Sequence, residues 1–134
     1  MHTSSISRGG VFVPVARFFE ILSYIIGANA ISAKCEIGNG TTFYHRGVGC
    51  VVHSKTIIGE NCTIFQNVIM GSKWPHRKCE GDAPVIGNNV FIGAGAVILG
   101  AVHIGNNAII GANAVVIMDV PEGRMVAGIS ADIK

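Results

Sequence analysis

Charge is scarce in this chain: Asp, Glu, Lys and Arg together make up 13% of its 134 residues, and the formal net charge is only +2. So weak a positive balance provides no electrostatic footprint for nucleic acid, and none is expected as a partner. Aromatic residues are few, at 7% with a single Trp. No run of about 18 apolar residues occurs, so no membrane-spanning helix is expected. Met1 to Gly10 is polar, and the apolar segment after it holds Arg17 and Glu20, which argues against a secretory leader. The four cysteines lack metal-ligand spacing and suit a reducing, cytoplasmic setting better than a disulfide framework. Cys35 and Cys62 read as compact apolar fillers, while Cys50 and Cys79 stay unassigned.

What the chain has instead is 49% hydrophobic residues, 18 glycines and a six-residue rhythm. Large apolar anchors recur in three blocks: Ile31, Ile37 and Phe43; Val52, Ile58, Ile64 and Met70; Ile86, Ile92, Ile98, Ile104, Ile110 and Val116. Two places before nearly every anchor stands a small or β-branched residue, as in Thr56-Ile57-Ile58, where two inward side chains flank one outward side chain. Gly or Asn follows most anchors, and both tolerate the left-handed backbone that a sharp corner needs. Strand, corner and strand repeated make a coil, and three six-residue edges close a triangular prism whose turns bury one another's apolar edges.

Two breaks interrupt the rhythm. Between Phe43 and Val52 nine residues replace six, and from Ser72 to Ala83 runs a polar, basic excursion holding the only Trp. Insertions in solenoids project from one face, often the binding face. Before the coil, Val11 to Ile26 reads as an apolar-rich helix with Arg17, Glu20 and Ser23 on its wet side and Phe12, Phe18, Phe19, Leu22, Ile25 and Ile26 seeking cover. Its expected role is to cap the open first turn, with contact to a membrane surface as the sharper alternative. The expected organisation is a helical cap over 1–30, the coil over 31–121 with its excursion at 72–83, and a closing segment over 122–134.

The repeat units resemble the hexapeptide motif of the left-handed parallel β-helix, aliphatic first, Gly-like second and small fifth, and the left hand is what that resemblance implies. The stretches Phe43-Tyr44-His45-Arg46-Gly47-Val48-Gly49, Ile64-Phe65-Gln66-Asn67-Val68-Ile69-Met70-Gly71 and Ile92-Gly93-Ala94-Gly95-Ala96 sharpen this. They are similar to serine acetyltransferases and to the short polysaccharide O-acetyltransferases on the same core. The resemblance implies acetyl transfer from acetyl-CoA to a hydroxyl, with no metal, in a cytoplasmic homotrimer whose sites use two chains. His45 falls on the family's catalytic histidine, a base suited to taking a hydroxyl proton near neutral pH. His76, in the excursion, is the nearest match for a second site histidine, or a solvated loop residue. Gly93, Ala94, Gly95, Gly111 and Ala112 match positions where the coenzyme A arm lies flat on the backbone, although any hexapeptide corner also calls for Gly and Ala. Lys73, in the basic excursion, is a candidate to meet cofactor phosphates, with a solvated charged loop as the commoner reading.

Departures from the serine acetyltransferase pattern bear on the acceptor. The family carries an Asp fifteen residues before the catalytic His and an acidic residue just before it, where this chain has Ala30 and Tyr44. An Arg-His pair expected near the end of the excursion is replaced by Gly81-Asp82-Ala83-Pro84. The acceptor is therefore expected to be either L-serine or a sugar or polysaccharide precursor. Two rival readings exist. One is a non-catalytic scaffold. The other is a gamma-carbonic-anhydrase-like metal site, which lacks two of its histidines because Ala94 and Leu99 stand there.

Overall fold

Ten of the thirteen anchors are almost wholly buried, and Ile31, Ile37 and Phe43 of the first turn are half-buried against them. The fold is a computed structural model that describes residues 12–73, 82–129 and 132–133. The anchors stack in three columns, one behind each face of a parallel coil. Face one carries Ile31, Val52, Met70, Ile98 and Val116; face two carries Ile37, Ile58, Ile86 and Ile104; face three carries Phe43, Ile64, Ile92, Ile110 and Val126. Each strand is two or three residues long because it spans only one edge of the triangle before a corner turns it. Its pairing is therefore entirely with the turns before and after it.

Register measures the breaks. Val52 pairs with Met70, and Ile98 with Val116, each eighteen positions apart, which is three six-residue edges. Ile31 pairs with Val52, three positions more, so the first break adds three residues without shifting any strand. Met70 pairs with Ile98, ten positions more, and the excursion accounts for them. Both insertions leave through corners. The inward/outward alternation of every later strand is thereby preserved, since a slip of one residue would turn the apolar set to solvent.

The register also places Cys50, which counting forward from Phe43 leaves off the grid. Counted back from Val52 it occupies the inward slot two places before an anchor, and it is fully buried. Cys35, Cys50 and Cys62 all fill such slots, each thiol donating to a backbone carbonyl: Ser32 at 2.9 Å, Phe65 at 3.3 Å and Gly87 at 3.1 Å. Burial raises all three thiols, Cys35 to about 11 with the Glu20 carboxylate adding to the effect. They are packing groups and not nucleophiles.

Past residue 121 the coil continues. Val120 bridges to Ile104, and Met125–Ala127 pairs in parallel with Ile109–Ile110 before Asp132–Ile133 returns antiparallel to close face three. At the other end, the helix Phe12–Gly27 lies against the Ala30–Ile31 strand. Here the expected orientation holds only in part: Arg17 is exposed and Leu22 half-buried as expected. Phe18, Phe19, Ile25 and Ile26 are exposed, while Glu20 turns inward and its carboxylate accepts the Ala33 N–H at 2.6 Å. The first turn has no coil before it, so its backbone donors lack ladder partners, and an acidic side chain supplies one. Among the described residues no helix is long and apolar enough to cross a membrane.

Thr56 fills another inward slot, and its hydroxyl is buried with no hydrogen-bond partner among the described residues. A buried unpaired hydroxyl costs about 1–3 kcal/mol. Thr56→Val keeps the shape and removes that cost, so the melting temperature is expected to rise by several degrees. A fall on thermal unfolding would mean the hydroxyl is satisfied in solution.

Candidate active site

Corners, and not faces, carry the side chains of interest. Along the edge where face three turns into face one, a backbone ladder links successive turns. Gly49 N–H donates to Ala28 O at 2.7 Å, Asn67 to Val48 at 2.8 Å, Gly95 to Gln66 at 3.0 Å and Asn113 to Ala94 at 2.8 Å. Val48, Gln66 and Ala94 thus occupy one row, and Ala112 continues it. Phe43 pairs with Ile64, so Gly47 takes the place that Phe65 holds one turn later, and Tyr44-His45-Arg46 is the three-residue insertion.

Those three residues are thrust out of the prism. They form a short 3-10 turn over Tyr44–Gly47 in which His45 (φ 52°, ψ 36°) and Arg46 (φ 59°, ψ 20°) both adopt left-handed backbone. For residues with a Cβ this costs roughly 1 kcal/mol or more each. Gly47 closes the insertion with φ 66°, and a Cβ there would meet the Ile31 side chain at 3.2 Å. The Tyr44 ring stacks on Phe65, centroids 4.9 Å apart and planes 6° from parallel, and Phe65 in turn meets Phe91 at 5.3 Å. His45 is exposed, its ring 6.5 Å from Phe65, and among the described residues nothing hydrogen-bonds its imidazole. On the inner side, Asn29 Nδ2 donates to the Arg46 carbonyl at 3.1 Å.

Below His45 on the same edge come Phe65 and Gln66, then Gly93-Ala94-Gly95, then Gly111-Ala112. Turns are spaced by about 4.8 Å, which puts Ala94 about 10 Å along the edge from the level of His45. The sequence pattern brought these residues to one line, but Gly93 and Gly95 are there for the coil. A Cβ on Gly93 would lie 2.6 Å from the Ala112 nitrogen, one on Gly111 would lie 3.2 Å from the Val126 oxygen, and Gly95 has φ 74°. Ala94 is half-buried and Ala112 exposed, and one turn earlier the row holds the longer Gln66, half-buried with its Oε1 buried and without a hydrogen-bond partner among the described residues. A row position that takes Gln66 in one turn does not itself require Ala in the next two.

Lys73 stands elsewhere. It follows the face-one strand Ile69–Gly71, on the edge that turns into face two, where the neck of the excursion is closed by Asp82. That carboxylate accepts the Ser72 hydroxyl at 2.5 Å and the Lys73 N–H at 3.2 Å. Within one chain Lys73 is across face one from His45. His76, together with Trp74, Arg77, Lys78 and Cys79, lies outside the described residues. His103 is exposed on face two and lines a separate cleft of about 400 Å³ with Asp119 and Glu122. Among the described residues no three His, Cys, Asp or Glu side chains are grouped to hold a metal. Residues that the sequence reading passed over are Asn29, Phe65 and Gln66. Phe65 and Gln66 stood inside a quoted motif, but only the corner ladder shows that they lie between His45 and Ala94.

A family model described as bacterial transferase hexapeptide (six repeats) matches residues 83–117. A serine acetyltransferase of Helicobacter pylori strain J99 is 38% identical over 121 residues, covering 90% of this chain and 68% of the relative. The chain belongs to the serine acetyltransferase family. A serine acetyltransferase of Staphylococcus aureus strain Mu50 is 42% identical over 119 residues, 89% of this chain and 51% of the relative. Among solved structures, a family member in complex with CoA superposes with a TM-score of 0.83 at 33% identity, over 90% of this chain and 48% of that one. The chain thus spans about half to two thirds of the family members it matches. A mirror-image coil would not superpose at that level, so the prism is the left-handed parallel β-helix of the family.

If the row at Ala94 holds the arm of coenzyme A, Ala94→Trp should weaken coenzyme A binding at least about ten-fold while the melting temperature stays put. Unchanged affinity by calorimetry would move the cofactor off this edge.

Proposed function

We propose that the chain transfers acetyl from acetyl-CoA to the hydroxyl of a small acceptor, with His45 as general base. The observation that carries this is the placement of His45. A three-residue insertion lifts an exposed imidazole out of an otherwise regular edge, on the corner that carries the small residues Ala94 and Ala112 two and three turns along. A thioester laid along that corner brings its carbonyl carbon toward the ring. The acceptor oxygen attacks that carbon as its proton passes to the imidazole. Collapse of the tetrahedral intermediate breaks the carbon–sulfur bond, and the coenzyme A thiolate takes the proton back. No acyl-enzyme forms in this sequence.

L-serine is the acceptor that the names of the relatives suggest, and the family includes a soybean enzyme solved as a complex with serine. A sugar hydroxyl is the second reading, and Tyr44 favours it. Where the family places an acidic residue beside the catalytic His, this chain has an aromatic ring that is 46% exposed and stacked on Phe65. Aromatic faces suit the apolar face of a pyranose better than an ammonium group paired with a carboxylate. The chain itself supplies no carboxylate on this edge among the described residues.

A homotrimer completes the reading. The outward side chains of face one are Ala30, Val51, Ile69, Val97 and Val115, an apolar strip running the length of the prism between the His45 edge and the excursion edge. Such a strip on a monomer calls for cover. Three copies around a threefold axis would bury it and bring Lys73 and the excursion of one copy toward His45 of its neighbour.

His45→Ala is expected to lower kcat by about 10²–10⁴-fold with coenzyme A affinity unchanged. Free-thiol release measured with L-serine, nucleotide sugars and simple glycans identifies the acceptor, and full turnover by His45→Ala would place the base elsewhere. Mass measurement in solution should give three copies, and a fully active single chain would overturn the shared site.

A further inference from the structure

We propose that Asn29 is a positioning residue for the reaction: its buried carboxamide pins the Arg46 carbonyl and so holds His45 in the left-handed backbone from which the imidazole works. This rests on the reading of His45 as the general base.

The need for such a device comes from the backbone. Among the described residues, apart from Ala28, every other non-glycine residue with positive φ is an Asn at a corner: Asn61, Asn67, Asn89, Asn107 and Asn113. Asn tolerates that conformation by local hydrogen bonding. His45 and Arg46 have no such advantage, and they adopt it in succession. Left to itself the insertion would relax, and the imidazole would swing with it. Three contacts oppose this. Within the turn itself the Val48 N–H donates to the His45 carbonyl at 3.2 Å. On the near side the Tyr44 ring is stacked on Phe65. On the far side is Asn29.

Asn29 is built into the neck of the insertion. Ala28 O accepts the Gly49 N–H at 2.7 Å, and Ala30 N–H donates to Cys50 O at 2.8 Å, so the backbone on both sides of Asn29 is tied to the chain returning from the insertion. Its side chain then reaches across to Arg46 at 3.1 Å. Only 3% of the residue is exposed, and Thr56 is the other buried polar residue among those described. Thr56 has an unpaired hydroxyl; the carboxamide of Asn29 is engaged.

This arrangement answers a gap in the site. Ala30 occupies the position from which the family's Asp orients the catalytic ring, and it is exposed with no group able to bond an imidazole. Here orientation is supplied one residue earlier in the chain and through the main chain, by fixing the backbone next to His45 instead of the ring nitrogen. A carbonyl accepts only from a donor, so the role needs the amide N–H of Asn and not merely its size.

Asn29→Leu is nearly the same size and lacks the donor. In the full chain it should lower kcat at least ten-fold while KM for acetyl-CoA and for the acceptor stays within two-fold. The His45 ring proton resonance should be single in the parent and broaden or split in the variant. Adding Arg46→Gly removes the Cβ that makes the left-handed conformation costly, and should bring kcat back to within about three-fold of the parent. A packing role alone would show no such recovery. If Asn29→Leu fails to fold, Asn29→Ala is read the same way. The proposal is overturned by a parent-like kcat and His45 resonance in the variant, or by a loss of kcat that Arg46→Gly does not relieve. Should the parent itself transfer no acetyl group, the function fails, and the His45 resonance still decides whether Asn29 orders the insertion.

Discussion

Every feature of this molecule depends on one constraint: each short edge of the coil must pair with the edge one turn away in fixed register. A two-residue strand such as Ile57–Ile58 has no stability of its own. It is held by its neighbours at Glu36–Ile37 and Val85–Ile86, and by the column of aliphatic side chains they seal between them. Because the side-chain period is two, the register cannot drift without exposing that column. Extra residues are consequently forced out at the corners, where backbone can leave and return without disturbing a rung.

The active-site proposal is a consequence of that exclusion. Tyr44, His45 and Arg46 are surplus to the register, so they protrude, and their left-handed backbone is the geometry of a chain leaving and re-entering at one corner. The same corner is regular in later turns, with Phe65 and Gln66 in the next and small residues at 93–95 and 111–112 beyond it. An imidazole on the irregular corner of an otherwise regular edge is thus a single structural event. The family relationship is what suggests a chemistry for that corner, while Ala30 and Tyr44 stand where the resemblance leads one to expect acidic residues.

Small residues on the edge have two causes that the structure separates. Gly93 approaches the backbone of the next turn too closely for any Cβ, and Gly95 carries positive φ; both would be glycine in a coil with no ligand at all, while a Cβ on Gly111 would make a tight 3.2 Å contact with the Val126 oxygen. Ala94 and Ala112 occupy a row position that takes Gln66 in another turn, so the coil does not itself require their size. The cofactor reading rests on those two alanines and not on the glycines around them.

Thirteen anchors in phase were enough to read the prism from the sequence, because burial in a six-residue coil leaves a period that no helix or ordinary strand produces. His45 was legible for a related reason: nine residues where six belong must put something outside the core. Cys50 was misplaced in the count because counting forward crosses the insertion, and only strand pairing shows on which side of it the register resumes. The inward turn of Glu20 was hidden as well, since composition cannot tell that the first turn lacks a ladder partner at Ala33. Asn29 carries no sequence signal, for its meaning lies in reaching a carbonyl seventeen residues away. Local pattern determined the repeat, its core and its break. Which residues meet across turns, and on which edge Lys73 stands relative to His45, was decided by the stacking alone, because those neighbours are a full turn apart in the chain and adjacent only once the rungs are paired.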